Sequence, residues 1–526
     1  MPNFDREAVL LGEMTPLRSA YDVHYYELAI DFDVEGKALT GEVELHATAT
    51  ADFERIQIDL HPNLEITHLV DAATGEALKY TREERAVYVS TGHEAGDSFV
   101  LKVGYTGKPF KAKNAPWEGG FVWEKDENKN PWIGVACESD GASLWWPLKD
   151  HTSDEPDSMR LHYTVPEGLT AVGNGQLEGN NTARGRTTWN WFVSYPINTY
   201  NVTVYVGKFK LLEQKYRGIE GREMIMTHYV LEENYEVAKG HFMQLPKILR
   251  SFEQNFGPYP WYDDGFKLVE SPYAGMEHQT AIAYGNGYEN DMEGDYDYII
   301  VHETAHEWWG NSITAVDLAH VWLQEGFATY AEALFLEDVE GASAYQDHLN
   351  LYRLFIANKY PVVGPMDRRW FDSKKGQDVY MKGAWILHTL RRQINDDELF
   401  REIIQEFYLR NARQIVTSQD FIDLVNEKTE RDFQWFFDQY LYQHWVPELE
   451  YAVSEEGTLY YKWVEAIPSF SQFRLFVEAR PMPFLIKPTL ELQSMELPQS
   501  RQGEWSFRLP SDQLIIIREN DKLLPK

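Results

Sequence analysis

Apolar and polar positions alternate with period two from Tyr21 to about Lys208. In ALTGEVELHATAT, Leu39, Val43 and Leu45 alternate with Thr40, Glu42, Glu44 and His46, giving an extended strand one apolar and one polar face. Breaks rich in Gly, Asn and Asp, such as DAATGEA and EGNNTARG, separate these runs and predict antiparallel pairing. Between Glu232 and about Gln443 the period becomes helical. YEVAKGHFMQLPKILRSFEQNF, YDYIIVHETAHEWWG, LQEGFATYAEALFLEDV and VYMKGAWILHTLRRQI place apolar residues three and four apart. Thr417, three residues before Asp420, predicts a capped helix start. After HWVPELEY the alternation returns in LYYKWVEA, FRLFVEA and LIIIREN. The expected organisation is multi-domain α+β: an N-terminal antiparallel β domain over 1–207, a mainly α-helical domain over 208–445 and a small C-terminal β-sandwich over 446–526.

A chain of 526 residues is two to four times an ordinary domain, which agrees with that division. With 43% hydrophobic and 25% charged residues it has the composition of a folded protein. Against 49 Lys and Arg stand 83 Asp and Glu, a net charge of −34. Nucleic-acid and anionic-membrane binding require clustered cations, so both are excluded and amine-bearing partners are favoured. The single cysteine, Cys137, excludes an intrachain disulfide framework and a Cys-rich metal site. No stretch has the apolar length of a membrane span, and the first residues lack a basic region followed by an apolar run. As it stands the chain reads as soluble and cytoplasmic, or as periplasmic or secreted if a signal peptide was removed. Oligomeric state leaves no mark in it.

The helical part contains His302-Glu303-Thr304-Ala305-His306, an H-E-x-x-H string. One turn separates the histidines, so both imidazoles leave the same face and can hold one Zn²⁺, with Glu303 beside the metal. A carboxylate there can take a proton from a water whose pKa the metal has lowered. Two histidines on a buried helix face are the plainer reading of the pentapeptide alone. A catalytic zinc needs a third protein ligand, and Glu325 in WLQEGFA supplies one after an 18-residue spacer.

HETAHEWWGN, WLQEGFA and the spacing between them resemble the M1 family of zinc metallopeptidases, the gluzincin aminopeptidases. The resemblance implies a thermolysin-like catalytic domain over 208–445, one Zn²⁺ on His302, His306 and Glu325, and Glu303 as general base in hydrolysis of the first peptide bond of peptides with a free N-terminal amine. A second family signature, usually G-x-M-E-N, is matched by Ala274-Gly275-Met276-Glu277-His278. By resemblance Glu277 binds the substrate ammonium, while Gly275 and Met276 lie along the substrate backbone. Ala274 and His278 replace the usual Gly and Asn. A further amine-binding residue, nine positions before the Pro of WWPLKD, falls on Glu138. Tyr380, in Y-x-K-G ahead of an apolar helix, matches the tyrosine that stabilises the oxyanion. Glu332, seven residues after Glu325, is a candidate partner for a zinc histidine. The large helical domain that follows in many members is expected to be absent.

Two carboxylates at the closed end of a cleft fit the same chemistry on physical grounds. An ion-paired ammonium fixes the distance from terminus to cleaved bond, and an uncharged chain entering there would leave both carboxylates desolvated. From Leu268 to Tyr352 there are 16 Asp and Glu and no Lys or Arg, where chain-wide frequency gives about eight basic residues. Alternatives are an epoxide hydrolase with aminopeptidase activity, as in leukotriene A4 hydrolase, for which Asp372 would be the acid, and a non-catalytic peptide-binding homologue. The preferred first residue is written in no motif.

Overall fold

The structure is a computed structural model that describes residues 4–369, 378–480, 482–498 and 506–525. Asp372 lies outside the described residues.

The N-terminal part is built on a seven-stranded sheet in the spatial order Gln176–Ala183, Arg186–Val193, Ser158–Pro166, Tyr21–Asp33, Ala38–Ala49, Ser98–Gly107, Leu64–Asp71. Period-two alternation shows directly in its burial: along Ala38–Ala49 every second residue, from Leu39 to Ala49, points into the core. Pairing is antiparallel except where Tyr21–Asp33 runs parallel to Ser158–Pro166. Parallel neighbours need a long crossover. The chain between them also forms a three-stranded sheet and two strands of a four-stranded one, and the motif WWPLKD lies in that crossover.

The central part opens on a five-stranded sheet, ordered Phe209–Arg217, Glu223–Leu231, Leu268–Glu270, Ile282–Tyr284, Gly275–Met276. Among the described residues a short helix, Tyr235–His241, is joined by eight more: α1 (Leu245–Phe256), α2 (Tyr298–Ala305), α3 (Trp322–Val339), α4 (Ala342–Arg353), α5 (Gly383–Ile394), α6 (Asp397–Asn411), α7 (Ser418–Thr429) and α8 (Gln434–Tyr440). Pro246 stands in the first turn of α1, where its missing N–H costs nothing, and the run read as one helix from Tyr235 breaks just before it. Thr417 and Asp420 form the capping box at the start of α7. Helix α3 is buried all round from Trp322 to Leu336, so it runs through the middle of the helical layer.

Two small sheets, of four and three strands, follow from Glu448. Their inward residues Leu449, Leu459, Trp463 and Leu475 join the same core as the helices. The N-terminal sheets have a core of their own, into which Met276 and Ala283 of the central sheet and Tyr273 from the loop beside it are packed. The AGMEH stretch is therefore wedged at the seam between the two cores, with α2 and α3 behind it.

Candidate metal centre

Helix α2 begins at Asp297, whose carboxylate accepts hydrogen bonds from the Ile299 and Ile300 N–H groups. It ends at Ala305, and His306 caps it while keeping right-handed helical dihedrals, so its side chain still leaves the same face as His302. Glu325 lies in the first turn of α3, where the helix dipole favours an anion. His302, His306 and Glu325 each offer one ligand atom, all within 4.8 Å of one another and all buried. The two Nε2 atoms are 3.2 Å apart, and Glu325 Oε2 lies 3.6 Å from His302 Nε2 and 3.4 Å from His306 Nε2.

The outward nitrogens determine what these atoms can do. His302 Nδ1 faces Glu332 Oε1 at 2.7 Å, and His306 Nδ1 faces the Trp309 carbonyl at 2.7 Å. Both partners are acceptors, so each proton belongs on Nδ1 and each Nε2 presents a lone pair. Glu325 Oε2 is buried and meets no aligned hydrogen-bond donor among the described residues. Three acceptors thus converge on one point with nothing to share, an arrangement that calls for a cation. Two imidazoles and a carboxylate are a donor set that zinc takes, so the residues fit that ion. Burial works against charge on these groups. Even so, the Glu325 carboxylate draws a proton onto the imidazoles when no cation lies between them, and a bound cation takes that proton's place.

Glu332 is tied down on three sides. Besides His302 it accepts from His348 Nε2 at 2.9 Å and from the Tyr352 hydroxyl, both on α4. It therefore aims His302 without touching the metal position. Glu332→Gln is expected to weaken metal binding about 10- to 100-fold while leaving the fold intact, as checked by competition with a chelator of known affinity.

Glu303 and Gly275 approach closely across the cleft. A β-carbon on Gly275 would sit 2.4 Å from Glu303 Oε1, so only glycine lets this strand come so near the carboxylate. Burial pushes the Glu303 carboxyl up to about 8; the Glu277 and Glu325 charges add to this and the imidazoles oppose it. Glu277 accepts a hydrogen bond from the Tyr200 hydroxyl at 3.0 Å, and its own carbonyl accepts one from Asn311 Nδ2 at 2.8 Å. Asn311 ends the HETAHEWWGN string, so that string also braces the AGMEH stretch. Glu138, Glu277 and Glu325 place carboxylate oxygens within 4.8 Å of one another. Burial and this crowding raise Glu138 well above, and Glu277 above, the ordinary carboxylate range. Met276 and Ala274 also line the cleft, a cavity of about 200 Å³.

Tyr380 stands on a five-residue π-turn, Asp378–Lys382, that leads into α5. Its ring lies 6.2 Å from that of His302 at 30°. Burial and the nearby Glu325, Glu138 and Glu277 charges keep its phenol protonated, hence a donor. Two glycines place the turn: a β-carbon on Gly383 would meet the Gly326 Cα at 2.9 Å, and one on Gly326 the Gly383 Cα at 3.1 Å. Backbone-to-backbone contact thus sets Tyr380 against the turn that carries Glu325.

The structure therefore brings His302, Glu303, His306, Glu325, Tyr380, Gly275, Met276, Glu277 and Glu138 to one cleft. His278, His320 and His388 stay outside it, bonded to Tyr205, Ser418 and Tyr345 respectively. A family model, the peptidase family M1 domain, matches residues 242–440, the segment that holds the histidines, Glu325 and Tyr380. This part of the chain is a peptidase family M1 domain.

Relatives agree with that assignment. Aminopeptidase B of Mus musculus is 26% identical over 285 residues, 50% of this chain and 41% of its own. Leucyl aminopeptidase of Saccharolobus solfataricus is 22% identical over 427 residues, 74% of this chain and 50% of its own. The chain spans about half the length of these curated relatives. Among solved structures, a mutant M1 zinc metallopeptidase of Deinococcus radiodurans bound to a Tyr-Ser-Ala substrate superposes with a TM-score of 0.68 at 20% identity, covering 81% of this chain and 95% of that one. A two-domain M1 zinc metallopeptidase mutant bound to L-arginine reaches 0.65 at 21%, covering 78% and 93%. They share the fold of β-rich N-terminal part and helical part found here. Among the described residues no helix is long and apolar enough to cross a membrane.

Three residues around the M1 domain's cleft escape the sequence reading. Tyr298 stacks on His302 with ring centroids 5.5 Å apart, Tyr200 holds Glu277, and Trp117 forms an outer wall while 48% exposed. An exposed tryptophan beside buried carboxylates is the one composition clue, and it is visible only after folding. Tyr298 was within reach, four residues before His302 on the same helix face.

Proposed function

We propose that the protein is a zinc-dependent aminopeptidase that hydrolyses the first peptide bond of peptides with a free N-terminal amine. The observation that carries this reading is the pair Glu277 and Glu138 beside the His302, His306 and Glu325 trio: carboxylate oxygens beyond the ligand set, buried and crowded, with no Lys or Arg among the described residues that line the cleft. An ammonium brought by the substrate answers that demand, and its position fixes which carbonyl lies over the metal position.

His302, His306 and Glu325 would hold Zn²⁺. When bound, the ion supplies Lewis-acid polarisation of the carbonyl and lowers the pKa of water. Glu303 takes a proton from the attacking water on its carboxylate and later delivers it to the nitrogen of the departing amine. Tyr380 donates its phenolic hydrogen to the carbonyl oxygen as negative charge develops there. Gly275 and Met276 offer backbone to the extended substrate, as an edge strand does. Glu277, steadied by Tyr200, and Glu138 hold the ammonium.

Matched peptides with free and with acetylated N-termini test the reading. Cleavage of the free peptide, abolished by a zinc chelator and restored by added Zn²⁺, together with little cleavage of the acetylated one, is the expected outcome. Equal cleavage of both rejects the amine anchor, and indifference to the chelator rejects the metal.

A further inference from the structure

Tyr298 and Met381 form one side of the catalytic cleft, and the same two residues wall a second cavity of about 320 Å³. Its apolar lining is made by the buried Met292 and Tyr352 and the exposed Leu351. Its rim is acidic, with Asp291, Glu293 and Asp347 all exposed. No Lys or Arg is among the described residues that line it. The cations next to these segments in sequence are committed elsewhere. Arg353 donates to the Ser511 and Ile515 carbonyls, and Lys382 to the His444 carbonyl.

The position of this cavity along a substrate follows from the metal trio. Glu277 and Glu138 gather on the side of His306 and Glu325. The second cavity lies behind His302, because Glu332, which bonds His302 Nδ1, bonds at its other oxygen to His348 and Tyr352 of the cavity wall. A peptide whose ammonium rests on Glu277 and whose first carbonyl lies over the trio thus runs toward the second cavity with the residues that follow the cleaved bond.

On the reading of the cleft given above, we infer that this cavity receives a Lys or Arg side chain from the segment of substrate that follows the cleaved bond. Long cationic side chains have this shape: a methylene stem that packs on Met292, Leu351 and Tyr352, and a charged head that reaches a carboxylate rim in water. A Glu at the same position meets three like charges and is rejected.

The test uses amidated peptides with one neutral first residue and Arg, Leu or Glu at the second or the third position. For the better-placed Arg peptide, kcat/KM is expected to exceed that of its Leu counterpart by roughly 3- to 10-fold at low salt, with the ratio shrinking as salt rises, since the rim is solvated. Asp347→Asn combined with Glu293→Gln removes two rim charges and leaves Asp291, which accepts the Tyr298 N–H at the start of α2. In that variant the Arg preference is expected to disappear while cleavage of the Leu peptide is unchanged. Equal kcat/KM for Arg and Leu peptides at both positions, or a preference that survives the double substitution, overturns the inference. Absence of chelator-sensitive cleavage of the Leu peptide by the unaltered protein would instead reject the aminopeptidase reading, so the two failures are told apart.

Discussion

Replacing Glu303 by Gln is expected to lower kcat by on the order of 10²–10⁴-fold while zinc content stays at one per chain. Glutamine fills the same volume and keeps one oxygen toward Gly275, but it has no basicity with which to take a proton from water. The ligand trio is left whole, because Glu303 is beside it and His302, His306 and Glu325 converge without it. Metal analysis by mass spectrometry and steady-state kinetics on one free-amine peptide check both halves. Turnover close to that of the unaltered protein would show that the proton goes elsewhere. Loss of the metal would show that Glu303 belongs to the ligand set.

The second large effect is expected at Glu277. Glu277→Gln preserves an acceptor for the Tyr200 hydroxyl but removes the charge that meets the substrate ammonium. Truncating one partner of a buried charged pair costs about 2–5 kcal/mol, so kcat/KM on free-amine peptides is expected to fall about 30- to several thousand-fold. Acetylated peptides, which carry no ammonium, should be nearly unaffected, so the ratio between the two substrates narrows. Measuring that ratio in Glu277→Gln and in Glu138→Gln apportions the anchor. A ratio unchanged in the first and lost in the second would place the ammonium on Glu138 alone.

The fold class and the centre of the site were legible because they rest on short-range regularities. Leu39, Val43 and Leu45 repeat at the strand period, His302 and His306 at one helical turn, and Glu332 at two turns from Glu325. Each is a statement about one element, and periodicity reports on single elements. The parts that escaped belong to contacts between elements. Tyr200 and Trp117 come from the N-terminal part, far from the M1 domain in sequence, and reach the cleft only because AGMEH is wedged between the two cores. The parallel pairing of Tyr21–Asp33 with Ser158–Pro166 depends on a crossover of more than a hundred residues that no local pattern announces. The π-turn at Tyr380 keeps the apolar spacing of a helix within one residue, so it reads as the start of α5.

The crossing of Gly326 and Gly383 has a bearing on how such a chain can change over time. Each glycine stands within a motif that reads as a local signature, one after Glu325 and one after Lys382, yet each is required by the other. A side chain at either position meets backbone, which cannot step aside as a flexible side chain can. Compensation by substituting the partner is closed off too, since glycine has nothing left to give up. The two positions form a single unit of inheritance across 57 residues of chain, and with them the turns that carry Tyr380 and Glu325 keep their place against one another.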